Sequence, residues 1–234
     1  MNIKKYLESL KSESNAIFET SIILEDHLGS SHHYVLCIHE FTENITDPKE
    51  RKNWTNVCSQ LEASILSVVL GLYRQAFTAL RLAFELGLGS ILFSTDKIHF
   101  YEWLQGVSDI KWAKIIDEEN GIFSQKYINA FCPLLKDDIK ISRSQAIFHY
   151  RKLSEYVHGN HQTWIKDGIK LTYNNELIME FFNHFEKVTE ILLYSLFTRY
   201  SNDLESKTLE TFEFLSERLG HNDYIREYLG GAKV

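Results

Sequence analysis

Apolar residues recur at three- and four-residue intervals through most of the chain, the spacing that lines one face of an α-helix. The pattern predicts a first helix over residues 2–28, stopping near Gly29-Ser30-Ser31. Residues 33–42 (HYVLCIHEFT) fit either a strand or a helix. Asp47-Pro48 reads as an N-cap followed by proline at the first helical position. From there a long helical stretch is expected to about Phe93, with a bend at Gly71. Shorter helices are expected at 97–106, 109–119 and 124–132, the last ended by Pro133. A further helix runs from Lys136 or Ser142 to His158, with Gly159-Asn160 as its C-terminal stop. Residues 160–175 read as a loop carrying a short extended piece at Ile169–Tyr173. Helices follow over about Asn175–Tyr200, Leu204–Leu219 and 222–229. With no βαβ rhythm and no repeat, the expected fold class is all-α, an irregular helical bundle forming one domain over 1–234.

Composition agrees with a packed domain. Apolar residues make up 44% of 234, charged residues 24%, and only 2 prolines occur, enough apolar mass for one sizeable core and too little proline for a linker-rich chain. The formal net charge of −7 rules out whole-protein basicity as a driver of nucleic-acid binding, so any such site must be a local patch. Residues 136–170 supply one: seven Lys/Arg against four Asp/Glu, with three histidines, whereas residues 174–234 carry six against eleven. Chance surface variation also explains this contrast. Cys37, Cys58 and Cys132 are scattered and odd in number, which argues against a disulfide framework or a cysteine zinc site and for a reducing, cytoplasmic compartment. The N-terminal MNIKKYLESLKSESN lacks the apolar run of a secretory signal. The apolar stretch 65–93 carries Arg74, Arg81 and Glu85, so a buried core helix is expected there rather than a membrane span.

Several chemistries lack their motifs: no P-loop, G-x-G-x-x-G, G-x-S-x-G or H-E-x-x-H occurs. His39-Glu40 opens like a zinc-protease motif, but position 43 is Glu. No compact histidine spacing suggests a metal site, and no cofactor is implied.

The segment HYRKLSEYVHGNH (149–161) is the informative one. Seven residues of α-helix return within about 20° of the start, so Arg151 and His158 share a face about 10 Å apart along the axis. Ser154 and Glu155 lie between them, and Ala146, Leu153, Tyr156 and Val157 form the inward face. A guanidinium, a carboxylate, a hydroxyl and an imidazole on one face suit phosphodiester cleavage by the ribose 2′-hydroxyl. Histidine moves protons near neutrality and arginine neutralises the developing phosphorane. His158 sits in the last turn, where the macrodipole favours a protonated ring. The plainer account is an Arg151–Glu155 ion pair and a capping histidine.

The run YRKLSEYVHG resembles the signature helix of HEPN-like proteins, an all-α superfamily of toxin–antitoxin and phage-defence systems whose motif is Arg, four to six residues, then His. Arg151 and His158 match its longest variant, and LGLYRQAFTALRLAFELGLGSILF (70–93) is similar to a second recurrent helix of that group. The resemblance spans about residues 50–200. It implies a four-helix core over 46–200, flanked by an N-terminal helical extension (1–45) and acidic C-terminal helices (201–234). It also implies a homodimer with both motifs facing one cleft, and metal-independent endoribonuclease activity, as in a toxin or anti-phage effector. Lys152 departs from the pattern, since many active members carry Asn, Asp or His directly after the motif Arg. Inactive members serve as modules that bind a partner protein, such as an antitoxin, or a nucleic acid.

On this reading Arg151 and His158 are catalytic, and Ser154, Glu155, His161 and Lys152 support them or hold RNA. Arg74, Thr78, Arg81 and Glu85 form a polar stripe on one helix. Either Arg81 and Glu85 pair structurally, or Arg74 or Arg81 reaches toward Arg151 and His158 to hold a phosphate. Phe148, Tyr150, Tyr156 and Trp164 are core aromatics or base-stacking platforms. A further reading, purely structural, makes the aromatic-rich helix 174–200 an oligomer interface.

Overall fold

The computed structural model describes residues 2–159 and 171–232. These residues form twelve α-helices and one short 3-10 turn, with no strand among them. In chain order the helices are α1 (Ile3–Ser21), α2 (Glu25–Glu43), α3 (Pro48–Val69), α4 (Tyr73–Phe93), α5 (Lys97–Leu104), α6 (Trp112–Ile115), α7 (Gln125–Phe131), α8 (Ile139–His158), α9 (Asn175–Tyr200), α10 (Ser206–Thr211), α11 (Glu213–Leu219) and α12 (Asp223–Tyr228). The all-α class expected from periodicity is the observed one.

Helix α4 lies at the centre and packs against α3, α8 and α9, while α9 also packs against α2. One apolar cluster joins residues from Tyr34 to Ile225, including Tyr34, Ile38 and Phe41 of α2. Its largest members (Trp54, Phe77, Phe84, Phe181, Phe185) are fully buried, each contributing about 1.5–3 kcal/mol of transfer free energy. Among the described residues α4 is the one helix long and apolar enough to cross a membrane, and it is largely covered by its neighbours.

The chain departs from several sequence expectations, each for a local reason. The first helix ends at Ser21, not near Gly29. Helix α2 restarts with Glu25 and Asp26 in its first turn, where the macrodipole favours carboxylates, and runs through Gly29. The ambiguous segment 33–42 is helical because Tyr34, Val35, Ile38 and Phe41 then share one buried side.

Gly71 does not bend a long helix; it reverses the chain. With φ at 77°, it lets Leu72 N–H reach Ser67 O (2.9 Å) while its own N–H reaches Val68 O (3.1 Å), the paired bonds of a Schellman turn. Helices α3 and α4 therefore fold back on each other as a hairpin.

The helix expected at 109–119 shrinks to Trp112–Ile115, because the Asp117 carboxylate accepts from the N–H groups of Glu119 and Asn120. The helix expected at 204–219 breaks at Phe212, whose ring is buried against Phe41 and Phe214. The aromatic side chains of α9, Phe181, Phe182, Phe185, Tyr194, Phe197 and Tyr200, are buried within the chain, and the residues that it leaves exposed, among them Glu176, Asn183, Glu186 and Lys187, are polar.

At one pole, Asp47 caps α3 by accepting from Lys49 N–H (2.8 Å) and also accepts from Lys97 Nζ (3.0 Å) of α5. Buried Glu50 accepts from the same Lys97 and from the Tyr200 hydroxyl (2.7 Å) at the end of α9.

Candidate functional site

Helix α8 presents three distinct strips around its buried side, and together they hold most of the predicted site residues. Ala146, His149, Leu153 and Tyr156 anchor the helix in the core, and Tyr156 stacks on Phe77 of α4 with centroids 3.8 Å apart. Val157, expected inside, is 37% exposed, and Phe148 is 50% exposed. Val157 sits in the last turn of α8, at the edge of the buried arc about 20° beyond Ala146. Gly159, at φ 72°, closes the helix in the left-handed conformation that glycine accepts without strain.

The first strip is the outward crest. Arg151 and His158 are both exposed there, and neither has a hydrogen-bond or ion-pair partner among the described residues. The Arg151–Glu155 pair of the plainer account is not formed among them. The ion pair that Glu155 makes there is with Lys152, at 3.6 Å.

The second strip faces α4 and takes up the polar stripe. Arg81 donates through Nε to Ser154 Oγ (3.0 Å), through one terminal nitrogen to Glu85 Oε2 (3.2 Å) and through the other to the Tyr150 hydroxyl. Tyr150 also donates to Glu85 Oε1 (3.3 Å), and its ring stacks on Trp112 at 3.6 Å with the Arg81 guanidinium 4.6 Å from its centroid. Burial and the Glu85 carboxylate push the Tyr150 phenol up, and Arg81 pulls it down. Ser154 also donates to Tyr150 O (2.7 Å), so it is turned away from the crest. Arg74 donates to the Tyr156 carbonyl. Arg81 and Glu85 are thus paired as the structural alternative expected, and Arg81 also reaches α8 at Ser154. Its donors are directed at protein groups rather than at solvent.

The third strip faces α9 and contains residues that sequence reasoning missed. His149 and His184 are 6% and 8% exposed, and their Nδ1 atoms are 2.9 Å apart. They lie under a groove of about 420 Å³ lined by Gln145, Phe148, Lys152, Glu180, Asn183 and Lys187. Burial pushes His149 down to about 4, with His184 and Lys187 adding to the shift. Burial likewise pushes His184 down to about 4, with Lys152 adding. Both rings are therefore neutral near pH 7. Thirty-five residues separate them in sequence, so only the α8–α9 packing reveals the pair. The available signal was a histidine at an inward position on each of two amphipathic helices.

Lys152 belongs to this groove, which neither Arg151 nor His158 lines. His161 and Trp164 lie outside the described residues, as does most of the loop expected at 160–175. Among the described residues no three His, Cys, Asp or Glu side chains are placed to hold a metal ion. Comparison with protein-family models, curated proteins and solved structures finds no match.

Proposed function

We propose that this chain is a metal-independent, HEPN-like endoribonuclease that cleaves RNA through its 2′-hydroxyl, a cytoplasmic toxin or anti-phage effector that works as a homodimer. One observation carries the reading: Arg151 and His158 stand exposed on one crest of α8, unpaired among the described residues. An exposed guanidinium can meet a phosphate, and an exposed imidazole can exchange protons with a ribose oxygen. The packing of α3, α4, α8 and α9 around one core fits the four-helix arrangement that the resemblance implies.

In this reading the 2′-oxygen attacks the adjacent phosphorus and the bond to the 5′-oxygen breaks. His158 transfers a proton and Arg151 neutralises the equatorial oxygens. One such imidazole per crest leaves either the base or the acid unfilled, and a second copy of the crest supplies it.

The test is cleavage of a mixed RNA pool in EDTA by wild type, His158→Ala and Arg151→Ala. Wild-type cleavage lost by at least a hundredfold in each variant is the expected result. A second reading, a catalytically silent module that binds a partner protein or nucleic acid, is favoured by Lys152 after the motif Arg and by the absence of Arg151 and His158 from the neighbouring groove. A wild type that leaves RNA intact and is harmless on expression selects that reading.

A further inference from the structure

A cavity of about 320 Å³ opens where the start of α8 meets α9 and the corner between α11 and α12. That volume lies at the small end of the range for small-molecule sites. Neither Arg151 nor His158 lines it. Buried Ile191 and Leu219 form its apolar part, and exposed Ile141 and Tyr224 stand at its rim.

The charge of the cavity has one sign. Asp138, Glu190 and Asp223 line it from three helices, and no lysine or arginine does among the described residues. Asp138 accepts from the Asn222 amide (2.6 Å) and forms no ion pair there. Glu190 meets Lys187 at 2.8 Å and His221 at 3.2 Å, and Asp223 meets Arg226 at 2.6 Å. These are pairs at the surface, which a better-placed cation replaces at little cost. Asp138 and Asp223 also suit the helix starts that they occupy. That account does not reach Glu190, in the interior of α9.

Tyr194, one turn further along α9, is an independent sign of a ligand. It is 7% exposed and lines the same cavity, and its hydroxyl is buried without a hydrogen-bond partner among the described residues. Ser142 and Asp138, both of the cavity wall, are among the groups around that hydroxyl. Burial pushes the phenol up, so it stays neutral and its oxygen can accept. A buried hydroxyl left unpaired is costly, and a ligand that donates to it removes the cost.

A ligand that fits donates hydrogen bonds at more than one point, brings positive charge to carboxylates on separate helices, and lays carbon against Ile191 and Leu219. An aliphatic diamine or polyamine has this pattern: ammonium groups joined by methylenes. A bare metal ion leaves the apolar part unused.

We propose that the cavity between α8, α9 and α12 binds an aliphatic diamine or polyamine, with Asp138 and Glu190 holding its ammonium groups, Ile191 and Leu219 covering its methylenes, and the Tyr194 hydroxyl accepting from the deepest nitrogen. The proposal does not depend on RNA cleavage.

The test is calorimetric titration of the whole protein at pH 7 in low salt with putrescine, spermidine and butylamine, with Ile141 and Ile191 methyl resonances followed in parallel. Putrescine and spermidine are expected to saturate one site, to move both methyls, and to bind at least tenfold more tightly than butylamine, which brings one ammonium. Asp138→Asn and Glu190→Gln, which keep the shape of each side chain, are each expected to weaken binding at least fivefold. Tyr194→Phe is expected to weaken it at least threefold with a melting temperature unchanged or raised, because the lost hydroxyl has no partner in the folded chain. Glu8→Gln, at an exposed acid on α1, and His158→Ala are expected to leave it unaltered. No saturation at millimolar concentration, equal affinity for butylamine, still methyls, or equal losses from Glu8→Gln and Asp138→Asn overturns the site. RNA cleavage that persists beside such a failure spares the nuclease, and selective diamine binding without cleavage does the reverse.

Discussion

Arg81 of α4 and Ser154 of α8 meet at 3.0 Å across the interface between the central helix and the helix that carries Arg151 and His158. The same guanidinium holds Glu85 and Tyr150, so one side chain fixes how α8 sits on α4. Replacing Arg81 with methionine removes the donor to Ser154 and to the Tyr150 phenol and leaves the Glu85 carboxylate with Tyr150 alone, in a site where Arg81 is 16% and Glu85 18% exposed. A loss of about 2–4 kcal/mol in urea unfolding is expected. A loss below about 0.5 kcal/mol would free Arg81 for direct contact with RNA.

The buried histidine pair sets a pH dependence with a definite sign. Each ring has an ordinary value near 6.5 when unfolded and about 4 when folded. Between these values the unfolded chain binds more protons, so stability is complete above about pH 6.5 and falls as pH drops toward 4. The slope reaches at most about 1.4 kcal/mol per pH unit for each ring. Urea midpoints at pH 7, 6 and 5 read it directly. His184→Gln should flatten the profile, and an unchanged slope in that variant assigns the effect to other groups.

Gly71 gives a third expectation. Alanine there meets the left-handed backbone and places its Cβ 2.6 Å from Ile17 Cδ1. Gly71→Ala should cost about 1–2 kcal/mol from the backbone alone, measured by thermal unfolding. Gly29→Ala, with open space around its Cβ and a helical backbone, should stabilise by up to about 1 kcal/mol. If the two variants melt alike, the turn at Gly71 is not as described.

Some of this architecture was readable from residues alone, where one residue type dictates one backbone state. Asp47-Pro48 started α3, Pro133 followed the end of α7, and Gly159 ended α8. Gly71 marks a break by its residue type, but a bend and a reversal share the same glycine. The difference lies in the bonds that Leu72 and Gly71 make back to α3. Phe212 interrupts a good helical pattern because burying its ring outweighs local propensity, and no local pattern reports that. At the site, periodicity placed Arg151 and His158 on one face. It also put Ser154 there, whereas the pull of Arg81 from another helix turns that hydroxyl aside. The His149–His184 pair was invisible because its meaning depends on two helices meeting.

The Lys97 clasp has a consequence for how the molecule opens. One ammonium ties the start of α3 to the start of α5, and Glu50 extends the tie to the last turn of α9. Helix ends ordinarily fray independently, with amides that exchange quickly with deuterium. Here three ends drawn from positions 47 to 200 share a single knot. Their amide protons should exchange as one cooperative unit, at a rate tied to release of the whole pole rather than to the length of any one helix.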